Sequence, residues 1–216
     1  MKNERTNWKW ILVGMIALLF GMNGTFSFAD DDDDEYLISN GVIRVEYDAE
    51  DGDLDIKHIA EMKVFAQGVT QTPNELTLTG IAIAPGVTAT LHVKLEANSP
   101  WVQFTWNYNI AGDVSQLANV QVLRMELSDN HDRWEAPFMN IANTKAGEQN
   151  LLTVAAKTDN AGFVAGWKTG AGTVTATAMR KDIYVSVSEN LTASPKTNTF
   201  KIGKFVTNVQ DGVSAF

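Results

Sequence analysis

Run after run of this chain alternates apolar and polar residues with a period of two. "GVIRVEY" (41–47) sets Ile43, Val45 and Tyr47 against Val42, Arg44 and Glu46. "TATLHVKLEA" sets Leu91, Val93 and Leu95 against His92, Lys94 and Glu96, and "WVQFTWNYNI" alternates Val102, Phe104, Trp106 and Tyr108 with polar neighbours. In "ELTLTGIAI", Leu76, Leu78 and Gly80 fall opposite Thr77, Thr79, Ile81 and Ile83. "VQVLRMEL" sets Leu123, Met125 and Leu127 against Val122, Arg124 and Glu126. The second half continues with "LLTVAAK", "GFVAGWK", "GTVTATAM", "DIYVSVSE" and "TFKIGKFVTNV". A period of two places alternate side chains on opposite faces of a strand. Gly, Asn, Asp and Pro punctuate the runs at 73–74, 85–86, 98–100, 159–160 and 170–172. Short strands at such spacing predict an all-β fold, an antiparallel β-sandwich. "DIKHIAEMKVFAQ" (55–67) suits a strand or a helix.

The N-terminus has a different composition. Lys2, Arg5 and Lys9 precede the apolar "WILVGMIALLF", and Ser27-Phe28-Ala29 sets small residues where a signal peptidase reads. Residues 1–29 are therefore expected to be a signal peptide, 30–35 ("DDDDDE") an acidic disordered tail, and 36–216 the sandwich domain. The alternative is a retained anchor, because 10–28 approaches the roughly 20 residues of a spanning helix. Asn23, Gly24, Thr25 and Ser27 thin that stretch. No membrane span is expected after processing, and the expected location is secreted, periplasmic or cell envelope.

Processing would remove Lys2, Arg5 and Lys9 with Glu4, moving the formal charge from −9 to −11. Such a chain is not expected to bind nucleic acid, which needs basic patches. Cysteine is absent, which excludes disulfides, thiol catalysis and zinc–thiolate sites. No cofactor is expected, and no metal site, since His58, His92 and His131 are isolated in sequence. The acids of "DAEDGD" (48–53) do not make an EF-hand. Counted from Asp48, glycine falls at position 5 and Ile59 at position 12, where the motif needs glycine at 6 and a glutamate at 12. Asp51-Gly52 is instead a hairpin turn.

"LISNGVIRVEYDAEDGDLDIKHI" resembles the opening of the N-terminal β-supersandwich, galactose-mutarotase-like domain of glycoside hydrolases. "TLHVKLEANSPWVQFTWNYNI", the "VLRMEL" strand leading into "DRWEAPF", and "NLLTVAAKTDNAGFVAGWKTGAGTVTATA" are similar to the α-galactosidase and raffinose-synthase type. In those enzymes the catalytic aspartates sit on a following (β/α)8 barrel, so the resemblance carries no catalytic residue onto this chain. It implies a carbohydrate-associated β-sandwich, free-standing or cut from a longer glycosidase. The alternative is a structural or surface-interaction protein of the bacterial envelope.

"SDNHDRWEAPF" (128–138) is the densest group of chemistry-bearing residues. Trp134 beside Asp132, Arg133 and Glu135 has the make-up of a sugar-binding rim, an aromatic plane next to hydrogen-bonding groups. Two carboxyls there also have the residue types of a glycosidase pair, as any acidic loop has, and an ordinary solvated loop fits equally. Trp101, following Pro100 at a strand start, is expected to be the most exposed of Trp101, Trp106 and Trp167, and to join the rim. Trp106 and Trp167 are expected in the core. A mutarotase-like enzyme would need a His and a Glu facing one ring, for which His131 with Glu135, or His92 with Glu96, are the near pairs. The expected partner is a galactoside-type oligosaccharide.

If residues 1–29 are a cleaved signal, mass spectrometry of exported protein finds Asp30 as the first residue; Met1 on a membrane-bound form rules cleavage out.

Overall fold

Asp48 starts the tight turn between the strands Arg44–Asp48 and Asp53–Ile56. Its Oδ1 accepts the backbone N–H groups of Glu50 (2.9 Å) and Asp51 (3.2 Å), and Gly52 closes the turn at φ +68°. That conformation is costly for any side-chain-bearing residue. The strands on either side then pair, with Asp48 opposite Asp53 and Val45 opposite Ile56. The acid-rich stretch is thus a hairpin, as its Asp-Gly signal predicts.

The computed structural model describes residues 34–112, 115, 117–127, 139–143, 149–155, 162–169, 172–179, 182–192, 197–205 and 209–216. All belong to one unit, Asp32–Phe216. Two antiparallel sheets form it. The seven-stranded sheet contains β1 (Glu35–Ser39), β2 (Arg44–Asp48), β3 (Asp53–Ile56), β4 (Ala60–Lys63), β9 (Val120–Leu127), β14 (Asp182–Glu189) and β13 (Thr173–Met179), in that order. The eight-stranded sheet runs β10 (Met139–Asn143), β11 (Gln149–Ala155), β12 (Gly162–Trp167), β15 (Thr197–Phe205), β8 (Trp101–Ile110), β7 (Val87–Leu95), β6 (Glu75–Ala84) and β5 (Gly68–Thr72). A short helix, α1 (Val209–Ala215), follows β15. No helix among the described residues is long and apolar enough to cross a membrane.

The inward phases of both sheets meet in one apolar layer. Val45, Tyr47, Leu54 and Met125 come from one sheet, and Leu76, Leu91, Phe104, Trp106, Trp167 and Phe200 from the other. Trp106 and Trp167 are fully buried, in the core as their strand phase predicts. The stretch 55–67 resolves as the end of β3, the turn through His58 and all of β4.

Polar side chains tie the layers at their margins. The Asn40 Oδ1 accepts the N–H groups of Val42 (2.9 Å) and Ile43 (2.7 Å), and its Nδ2 donates to the carbonyls of Glu96 (2.6 Å) and Ser99 (2.9 Å). One amide thereby uses its full capacity to join the β1–β2 turn to the β7–β8 turn. Gln71 of β5 accepts from the Leu37 N–H and donates to the Leu37 carbonyl, bridging edge strand to edge strand.

Three sequence expectations need correction. Ile81 does not oppose Leu78: a bulge at Gly80 (φ +71°) shifts the register and returns Ile81 to the buried face with Leu76 and Leu78. Glu35 is the first residue of β1, opposite Asp48, and not the end of a tail; at an exposed sheet edge its carboxylate stays in water. Trp101 is buried, at 7% exposure. Gly203 on the paired strand leaves room for its indole, and Phe205 and Phe216 meet the ring edge-on at 5.2 and 5.6 Å.

Trp106→Ala is expected to destabilise the fold by about 3–5 kcal/mol, the range for an aromatic deleted from a packed core. Urea unfolding at neutral pH measures it, and a cost under about 1 kcal/mol would contradict the packing described.

Candidate functional site

The solvent face of the seven-stranded sheet is unusually acidic in one row. Glu46 stands opposite Asp55, Asp55 opposite Glu61, Glu61 opposite Glu126, and Glu126 opposite Tyr184. Like charges directly across a strand pair repel. Cations offset the outer half of the row: Lys57 reaches Glu46 at 2.6 Å and also Asp55, and Arg44 pairs with Glu46. Burial alone would raise the Glu46 carboxyl, but Lys57 and Arg44 outweigh it and hold the group below the ordinary carboxylate range.

The inner half of the row borders a groove of about 550 Å³. Glu61 and Lys63 come from β4, Gln121, Arg124 and Glu126 from β9, and Tyr184 from β14. The Arg124 guanidinium lies 4.5 Å from the centroid of the Tyr184 ring. The Tyr184 phenol donates to Glu126, which raises the phenol pKa, with burial and the Glu126 charge acting the same way. Lys63 bonds Asp53 at 2.7 Å and the Asp51 carbonyl at 3.1 Å, so the hairpin turn fixes one rim. The groove therefore presents one aromatic ring, a planar donor and several carboxylates on a floor of β4, β9 and β14.

A second concavity of about 280 Å³ adjoins it and shares Lys63, Gln121 and Val122. Phe65 and Trp106 line it. Among the described residues, the large hydrophobic side chains left exposed are Val42 and Phe65, the latter at 67%. Both Phe65 and Tyr184 were legible in sequence as lone aromatics in a polar phase. "AEMKVF" puts Phe65 with Glu61 and Lys63, and "DIYVSVSE" puts Tyr184 with Ser186 and Ser188. The sequence reading did not single out either.

Of the rim residues expected from sequence, Asp132, Arg133, Trp134 and Glu135 lie outside the described residues, as does His131. Trp101 is covered by Phe205 and Phe216 and offers no open ring face. His92 meets Glu75 (2.8 Å) and Thr77 (3.2 Å), not Glu96. Among the described residues no group of three or more His, Asp or Glu side chains converges as a metal site would.

No family model matches the chain, and no curated protein matches it. Solved structures give a weak neighbour, a protein from human microbiome assigned as a kojibiose phosphorylase. It aligns at 10% identity with a TM-score of 0.25, over 80% of this chain and 21% of the other. The chain thus spans about a fifth of that protein, at a similarity too low to carry an argument.

A carboxyl held down in the folded state stabilises the fold above its unfolded pKa, and that contribution is lost as pH falls through the folded value. Stability is therefore expected to hold from neutrality to about pH 5 and to fall below about pH 4. The Glu46 share is under about 1 kcal/mol. Urea midpoints across that range should fall less steeply for Glu46→Gln than for the parent; parallel curves would remove Glu46 from the effect.

Proposed function

We propose that this chain is an exported, non-catalytic, carbohydrate-associated β-sandwich that holds a neutral oligosaccharide against its seven-stranded sheet. The observation that carries the reading is the Arg124–Tyr184–Glu126 groove. A sugar presents C–H groups on its ring faces and hydroxyls at its edge, and vicinal hydroxyls suit planar donors and carboxylate acceptors set side by side. Arg124, Glu126, Glu61 and Gln121 supply those groups beside Tyr184. The acids at the rim disfavour sulfated, phosphorylated or uronic-acid polymers, so neutral glycans are favoured over anionic ones.

Glycosidic cleavage needs a carboxyl on each side of the scissile bond. Glu61 and Glu126 stand side by side on neighbouring strands, so they address a bound sugar from one side. Hence the reading is binding without hydrolysis. Trp134, with Asp132, Arg133 and Glu135, is proposed as a further contact by its composition, and galactosides are the first class to test.

The test is an array of neutral and acidic oligosaccharides, galactosides included, probed with the purified chain. Binding to neutral glycans is expected, weakened at least tenfold by Tyr184→Ala, and weakened by Trp134→Ala without a change in melting temperature. Absence of binding to every neutral glycan overturns the proposal. Turnover of an aryl α-galactoside that disappears in Glu61→Gln or Glu126→Gln overturns its non-catalytic part.

A further inference from the structure

β4 and β9 are neighbours for only part of their length. They pair at Ala60–Leu127, Glu61–Glu126 and Met62–Met125, and there the ladder ends. Each strand goes on with its other neighbour. Lys63 still pairs with Asp53, and the Val64 N–H still reaches the Gly52 carbonyl at 2.7 Å. On the far side Gln121 still pairs with Ser188 and Val120 with Glu189. The seven-stranded sheet is therefore split over this stretch, and the cavity of about 280 Å³ occupies the split.

Its walls are Val64 and Phe65 on the β4 side and Gln121 and Val122 on the β9 side; Ile83 and Trp106 reach it from the opposite sheet. A single exposed phenylalanine is ordinary on a protein surface. Phe65 differs because its ring is both held and placed. Gly52 lies beneath it: a Cβ at position 52 would sit 2.7 Å from the ring. The ring is thus supported from below by the hairpin turn while it borders a cavity.

We propose that this split is the seat of one neutral pyranose ring, the terminal residue of the oligosaccharide that the adjoining groove holds. The inference rests on the carbohydrate reading above and adds the position and size of one subsite. Ligand pockets run from about 300 to 1,000 Å³, so a cavity at or below the lower limit takes a single ring and not a chain. The C–H face of a pyranose lies on Phe65, and its hydroxyls meet Gln121 and Lys63 at the mouth. The shared residues Lys63, Gln121 and Val122 make the exit continuous with the floor leading to Arg124 and Tyr184. Asp53, Glu61 and Glu126 along that path favour a neutral ring over an anionic one.

Three variants on the same array test this. Phe65→Ala removes the ring, Phe65→Leu keeps apolar cover on Gly52 but removes the flat face, and Phe65→Tyr keeps the face. Affinity for neutral oligosaccharides is expected to fall at least tenfold in Phe65→Ala and Phe65→Leu, with melting temperatures near the parent's, and to stay within about threefold in Phe65→Tyr. If the parent binds and Tyr184→Ala weakens it while Phe65→Leu keeps parental affinity, the subsite is wrong and the carbohydrate reading stands. A parent that binds no neutral glycan overturns both.

Discussion

The apolar layer between the two sheets is the interaction on which everything else in this protein depends. The chain has no cysteine, so no disulfide can restrict the unfolded state. Stability must come from burial, at about 1.5–3 kcal/mol for each large side chain taken fully from water, offset by the entropy of ordering the chain. Tyr47, Leu54, Phe104, Trp106, Phe163, Trp167 and Phe200 provide the bulk, all of them fully enclosed. The burial that drives this layer is itself non-directional. Direction comes from the polar ties at its edge. Asn40 and Gln71 satisfy backbone groups of specific partners, so each fixes which turn or edge strand meets which.

The split in the seven-stranded sheet follows from how the chain crosses between layers. β4 leads into β5, and β8 leads into β9. The first connection leaves the seven-stranded sheet and the second enters it. The end of β4 and the start of β9 lie side by side, so both crossings occur at one place. Past Met62 and Met125 the ladder between them ends. β4 therefore stays with β3 and β9 with β14, and the space between them opens toward Trp106. Concavity at this point coincides with the end of that ladder, and the side chains decide what lines it.

Strands and the buried phase of most of them were legible, because period-two alternation is a local signal and both sheets obey it. What failed to read was non-local. The bulge at Gly80 reverses the phase of Ile81, and only the partner strand β7 shows where the extra residue is accommodated. Trp101 sits after a proline and looks exposed, but its cover comes from Phe205 and Phe216, more than a hundred residues later. Phe65 and Tyr184 were readable in principle, since each breaks a polar phase. A polar phase marks the solvent face without saying which of its members border a groove, and that needed the register of β4, β9 and β14.

The row Glu46–Asp55–Glu61–Glu126 bears on what the groove can accept. Setting carboxylates opposite one another on adjacent strands works against folding, and uncharged polar residues would form the same ladder. In the outer half, Arg44 and Lys57 neutralise the cost by direct ion pairing. In the inner half the nearby cations are otherwise engaged: Lys63 with Asp53 and the turn carbonyl, Arg124 over the Tyr184 ring. Glu126 spends part of its capacity on the Tyr184 phenol. A carboxylate accepts several hydrogen bonds at once and donates none, so acceptor sites remain along the floor. Groups that complete such a floor must bring donors without negative charge. Water does so, and hydroxyls fixed on a ring would do so with less entropy lost per bond, which is the physical ground for proposing a neutral polyol here in preference to an anion.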